Sequence, residues 1–200
     1  MYFPKNISAI PCRSILLCVI LSSCTIFETR SPEEPTGGSV PFQQPTSKDI
    51  VVNNFKNAVS QRSEYNFISC FDTSATYIFE PSSEARPSFS GRWTLEDERR
   101  SFVALVSKIS PVARFNVLFA NSGFSPLNGG ADSVVFITDY VLRADHSDSL
   151  LIPTRATGTL SFTIAANRDN GLWAIRRWTD TRSEDDSVSI TWSFLKGYFR

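Results

Sequence analysis

Apolar and polar positions recur along this chain with two different periods, and the change from one to the other falls at Pro111. Before it, Val51, Phe55, Ala58 and Val59 follow at helical spacing behind Thr46-Ser47-Lys48-Asp49, whose hydroxyl-x-x-acid form is a helix start. A helix is expected over about 47–61, with a shorter helical stretch over about 64–71. A brief strand is expected at Thr76-Tyr77-Ile78-Phe79, ended by Pro81. Thr94-Leu95-Glu96-Asp97 repeats the helix start, and Leu95, Phe102, Leu105, Val106 and Ile109 give one apolar face before Ser110-Pro111 stops it.

After Pro111 the period is two. Arg114 to Phe119, Ser133 to Arg143, Thr157 to Ala165 and Leu172 to Thr179 each read as a strand, with turns at Asn128-Gly129-Gly130 and Asn167 to Gly171. The alternation is cleanest where Leu160, Phe162 and Ile164 interleave with Thr159, Ser161 and Thr163, so that one face is wet. Asn170-Gly171 joins the last two long strands as a hairpin, and Ile190 to Phe199 reads as a closing aromatic strand or turn. Helices first and an antiparallel sheet afterwards give an α+β domain, with N-terminal helices packed on one face of the sheet.

The segment before the first helix has another character. Lys5 and Arg13 precede a short apolar run, Ile15 to Leu21, too short to span a bilayer, which needs about 20 apolar residues. Leu21-Ser22-Ser23-Cys24 then has the lipobox form: an aliphatic residue, two small residues that give a peptidase access, and a cysteine whose thiol takes the lipid. The expectation is a lipoprotein signal peptide over 1–23, lipidation at Cys24, a Pro/Gly-rich tether over 24–45 and a single domain over 46–200. Such a chain sits in the bacterial cell envelope, bound to the membrane through the lipid on Cys24. Thr25 in place of an aspartate resembles the outer-membrane sorting rule of enterobacteria, with the domain on the periplasmic or surface face.

The order of elements resembles the cone-shaped fold of nuclear transport factor 2 (NTF2) and the SnoaL-like proteins. Phe27 to Pro35, Trp93-Thr94-Leu95-Glu96-Asp97-Glu98, Leu172 to Trp178 and Thr191 to Gly197 are similar to segments of uncharacterised bacterial lipoproteins assigned to that fold. The resemblance implies helices on a curved antiparallel sheet. It implies no activity, because NTF2-like domains serve as enzymes, binding proteins and scaffolds alike.

Charge and cysteines narrow the chemistry. Lys5 and Arg13 leave with the leader, so 18 of the 20 basic residues face 20 acidic ones, and Arg99-Arg100 and Arg176-Arg177 are isolated pairs beside acids; no nucleic-acid partner is expected. Cys12 and Cys18 also leave with the leader, and Cys70, in an apolar run, is expected as a buried core thiol. The sequence has no Gly-rich phosphate loop, no Gly-x-Ser-x-Gly, no Cys-x-x-Cys and no His-Glu-x-x-His, and neither a metal nor another cofactor is expected. His146, the one histidine, lies in a polar run and is expected in an exposed loop. Asp139 has the parity of Arg143 and is expected outward.

NTF2-like enzymes work inside the cone with carboxylates, histidines or tyrosines. An isomerase, dehydratase or hydrolase of that kind would draw on Tyr140, Asp72 and Arg155. Against this stands the aromatic content, 16 Phe, 5 Tyr and 4 Trp, which suits a filled core or an apolar pocket. Trp93, Trp173, Trp178 and Trp192 are candidate pocket or interface residues, and on a regular strand Trp173 and Trp178 face opposite sides, leaving one for a homodimer contact through the sheet. The leading expectation is a non-catalytic domain that binds a partner or a small apolar ligand, with a cone-cavity enzyme and a structural part of an envelope assembly as the alternatives.

Overall fold

Ser47 accepts the amide of Ile50 and so caps helix α1 (Lys48–Ser60), whose inward face is Val51, Val52, Phe55, Ala58 and Val59. Asn54 is also buried on this face. Its amide group closes a two-way bond with the Gln43 backbone, at 3.1 and 2.6 Å, and so lays residues 40–45 along the helix. In this computed structural model the described residues are 40–74, 77–127, 132–183 and 190–200. The leader, Cys24, the tether up to residue 39 and the turn expected at Asn128-Gly129-Gly130 lie outside them.

Helix α2 (Glu64–Ile68) and strand β1 (Ile78–Glu80) follow, then one 3-10 turn (Arg86–Ser88) and helix α3 (Leu95–Ser107). Thr94 and Asp97 form a complete capping box at the start of α3, and its buried face is Glu98, Ser101, Phe102 and Leu105. The chain then builds β2 (Phe115–Pro126), β3 (Ser133–Ala144), β4 (Arg155–Ala166) and β5 (Trp173–Thr181). These four pair antiparallel in a meander, and β1 adds itself in parallel to the outer edge of β5, giving the order β1-β5-β4-β3-β2. The helices cover one face of this curved, unclosed sheet.

Two bulges shape the sheet. One lies in β2 between Ala120 and Gly123, where Asn121 takes a positive φ of 52°. The other inserts one extra residue in β5, since Thr163 faces Arg177 while Ile164 faces Ile175. That extra residue reverses the parity of the strand. Trp173 and Trp178 therefore lie on the same, helix-facing side, with Ile175 and Asp180, and neither faces outward as a regular strand would have it. The two arginines at the bulge are drawn to the edge by acids: Arg176 pairs with Asp72 at 2.8 Å and Arg177 with Glu80 at 3.2 Å.

The last segment is a helix, α4 (Trp192–Tyr198), and not the strand or turn that its aromatic content suggests. Thr191 caps it by accepting the amide of Phe194, and Trp192, Leu195, Lys196 and Phe199 fall on one face. That face enters the cone between the sheet and the other helices, where Trp192 meets Trp178 edge to face at 4.9 Å and lies 5.6 Å from Phe55. The core, with Phe55, Phe67, Phe162 and Trp178 at its centre, draws on residues from Phe42 to Phe199, and Val40–Arg200 forms one compact unit. It carries its own core and is a self-contained folding unit. No helix among the described residues is long and apolar enough to cross a membrane.

Candidate functional site

Tyr140, on the inward face of β3, donates to Asp180 Oδ1 at 2.9 Å and accepts the backbone amide of Trp192 at 2.7 Å. Asp180 Oδ2 accepts both the amide and the hydroxyl of Ser193, at 2.7 and 2.6 Å, and Ser193 Oγ in turn accepts the amide of Ser82. The first turn of α4 is thus tied to two strands by one carboxylate and one phenol. Burial holds the Asp180 carboxyl above the ordinary carboxylate range, against the opposing pull of Ser193 and Tyr140. Burial first, and the Asp180 charge second, push the Tyr140 phenol well up.

A second buried cluster lies behind the first. Glu98 Oε1 accepts from Tyr77 Oη at 2.7 Å, Trp93 Nε1 at 2.9 Å and Lys196 Nζ at 2.8 Å. The Lys196 ammonium also lies 3.2 Å from the centroid of the Trp178 ring and 3.9 Å from that of Phe79. Burial brings its pKa down to about 8, with Glu98 pulling the other way. Glu98 Oε2 finds no protein partner. A void of about 10 Å³ bounded by Glu98, Ser101, Trp192 and Lys196 lies there, about the room of one water molecule. Around it, Phe55, Phe67, Phe162, Trp178 and Trp192 pack the interior of the cone among the described residues.

The open space lies at the mouth of the cone. Between β1, the 3-10 turn, the approach to α3 and the end of β5 is a cleft of about 760 Å³. Its floor is aromatic: Phe79, Phe89 and Trp93 lie with ring centroids 4.8–5.8 Å apart. Arg86 and Arg92 stand exposed among its lining residues, while Glu80 is occupied by Arg177 and by the Thr179 hydroxyl. The Asp180 carboxylate is turned away toward Tyr140 and Ser193.

The structure does not gather Tyr140, Asp72 and Arg155 into one site. Asp72 holds Ser74 and Arg176 beside Ile175, five residues along β5 from Asp180, which is about 15 Å of strand. Burial raises its carboxyl, but the Ser74 and Arg176 donors together bring it below the usual value. Arg155 is exposed at the start of β4, level with Arg143 across the strand pair. Asp139 is outward and accepts from Asn121 and Thr159, both at 2.8 Å, which hold its carboxyl down.

His146 is not in an exposed loop. It is 3% exposed, bridges to Ile109 and packs edge-on against Phe199 at 5.2 Å, because the in-out alternation of β3 continues through Ala144 to it. Cys70 is buried, and burial pushes its thiol far above the usual range. Trp178 and Trp192 are core and Trp93 floors the cleft, while Trp173 is half-buried at the far end of β5, its amide donating to Pro45. Among the described residues no three His, Cys, Asp or Glu side chains are grouped as a metal would require.

Asp180, Glu98 and Lys196 carry the interior polar structure, and the periodicity gave no prominence to any of them. The one signal for Lys196 is its place four residues after Trp192 on an otherwise apolar helix face.

No family model matches the chain. No curated protein matches it either. Among solved structures it is similar to an NTF2-like superfamily protein from Salmonella enterica serovar Typhimurium, at 13% identity over 69% of this chain and 90% of that one, with a TM-score of 0.52. It is also similar to a candidate aromatic ring hydroxylase from Novosphingobium aromaticivorans, at 12% identity over 72% and 91%, again with a TM-score of 0.52. With the meander of four strands, the helices on one face and the edge strand β1, the domain has the NTF2-like fold.

Proposed function

We propose that the chain is an envelope lipoprotein anchored at Cys24, whose NTF2-like domain is a non-catalytic binding module for a small apolar or aromatic molecule bearing an anionic group. The observation that carries this reading is the contrast between the filled cone and the open cleft at its mouth. Inside, Tyr140, Asp180, Glu98 and Lys196 are turned to one another, which speaks against a cavity enzyme of this fold. At the mouth, an aromatic floor with Arg86 and Arg92 exposed beside it offers stacking and charge to one ligand.

The test is fluorescence titration of the domain with 1-anilinonaphthalene-8-sulfonate, an aromatic anion, and its displacement by decanoate. Saturable binding is expected, with affinity at least about tenfold lower in Phe89→Ala and in Arg86→Glu/Arg92→Glu. No saturable binding, or affinity unchanged by these substitutions, rules out the cleft as the site. A structural role in an envelope assembly would then be the better reading. The anchor is tested separately by the mass of the mature chain, which must carry acyl groups in the wild type and none in Cys24→Ser.

A further inference from the structure

The end of the sheet where β2 begins and β3 stops carries three aliphatic side chains held out in water. Val112 is 94% exposed, Leu150 98% and Leu151 75%. They stand on two turns that are fastened to each other. Ser147 N donates to Lys108 O and Asp145 N to Arg114 O, each at 2.9 Å, and Lys108 pairs with Asp148 at 3.6 Å. The turn bearing the leucines is itself pinned: Ile152 and His146 beside it are buried, and the amides of Leu151 and Ile152 both donate to Asp148 O. The leucines are therefore presented by a fixed backbone. Three exposed aliphatics on interlocked turns differ from the single ones that any surface shows.

Charge and chain direction say what would cover them. Residues 108–116 and 141–156 contain Lys108, Arg114, Arg143 and Arg155, all exposed, against Asp145 and Asp148. A positive collar behind aliphatic tips is complementary to an anionic lipid surface. The first described residue, Val40, is at this same end. Its carbonyl accepts from Gln61 Nε2 at 2.7 Å, and the next residue, Arg62, donates to Pro111 O and Ala113 O on either side of Val112. Between Cys24 and Val40 lie 15 residues, reaching at most about 50 Å when extended.

We infer that Val112, Leu150 and Leu151 with their basic collar form a docking surface for an anionic lipid bilayer, which seats the domain on the membrane to which Cys24 tethers it. The inference rests on the anchor reading for its orientation alone, and the experiment omits the anchor so that the two can fail separately. The self-contained domain Val40–Arg200 is sedimented with vesicles of phosphatidylglycerol and phosphatidylethanolamine, and with vesicles of phosphatidylcholine. Binding to the anionic vesicles is expected, weaker at high salt, and at least about tenfold weaker in the triple variant Val112→Ser/Leu150→Ser/Leu151→Ser. All three side chains are exposed, so the variant should keep the wild-type melting temperature. No binding by the wild type, equal binding by the triple variant, or equal binding to phosphatidylcholine overturns the inference. Self-association that the triple variant abolishes while vesicles stay unbound also overturns it, and assigns the tips to a second copy of the chain.

Discussion

Tyr140→Phe isolates what the interior polar groups do, because it removes one oxygen and leaves no cavity for a side chain to collapse into. The phenol oxygen serves two partners, Asp180 Oδ1 as donor and Trp192 N as acceptor, all three residues being at most 3% exposed. Without it, one buried amide and one carboxylate lone pair lose their partner, each worth about 1–3 kcal/mol, while the desolvation cost of the phenol hydroxyl itself disappears. A net loss of about 2–4 kcal/mol follows. For a domain of this size that is about 5–15 °C in melting temperature.

Urea unfolding followed by tryptophan fluorescence measures the loss directly, since Trp192 lies 6.0 Å from the Tyr140 ring, and the urea m-value should not change. Tyr65→Phe, at an 80% exposed position, is the control and should stay within about 0.5 kcal/mol. Ser193→Ala acts on the same carboxylate from the other side, so the double variant should depart from additivity by about 0.5 kcal/mol or more. A Tyr140→Phe loss below about 0.5 kcal/mol would refute the reasoning. The phenol would then not be committed to holding α4, and its availability for chemistry inside the cone would return as a live reading.

Three further outcomes test other parts of the structure. Lys196 has a folded pKa of about 8 against about 10.4 when unfolded, so between these values only the unfolded chain holds the proton and stability should rise with pH. Urea midpoints at about pH 7 and pH 10 should show the rise in wild type and not in Glu98→Gln/Lys196→Met; a wild-type midpoint that falls relative to the variant contradicts the burial argument. Asp72 has the opposite sign: its folded pKa is depressed, so its contribution is complete above the unfolded value near 3.9 and is lost as pH falls through the folded one. The stability gap between wild type and Asp72→Asn should therefore narrow as pH falls below that unfolded value, and a gap that does not narrow would show that the charged carboxylate held by Ser74 and Arg176 is not its source. At Gly158 a Cβ would run into the Thr181 backbone carbonyl and lie 3.0 Å from the Tyr140 hydroxyl, so Gly158→Ala should cost more than about 2 kcal/mol in urea unfolding, and a neutral result would mean that β4 and β5 can part there.

The elements that the sequence discloses are those whose local signal and tertiary role agree. Thr94 and Asp97 cap α3 as their spacing demands, and the Leu160, Phe162, Ile164 alternation points inward along β4. Three features escape it for a common reason: a neighbour far along the chain decides between two locally acceptable periods. Trp192, Phe194 and Tyr198 fit a strand, while Trp192, Leu195 and Phe199 fit a helix, and the Thr191 cap together with the space beside Trp178 selects the helix. His146 has polar neighbours on both sides, yet the parity of β3 and a bridge to Ile109 turn it inward.

In β5 one inserted residue reverses the parity, so Trp173 and Trp178 share a face. Nothing in Leu172 to Thr179 marks the insertion, although two edge acids, Asp72 and Glu80, from distant parts of the chain, take the two arginines there. The interior ion pair was hidden by the same logic, whereas Trp93, expected as a pocket residue, does floor the cleft. Lys196 sits on an apolar helix face where a cation has no local partner, and its partner Glu98 lies 98 residues earlier, in the first turn of α3 beside Glu96 and Asp97. A charge out of place in an apolar pattern is therefore best read as a demand for an opposite charge elsewhere. Here the two demands answer each other, the interior closes around them, and the aromatic cleft of about 760 Å³ lies outside it, at the mouth of the cone.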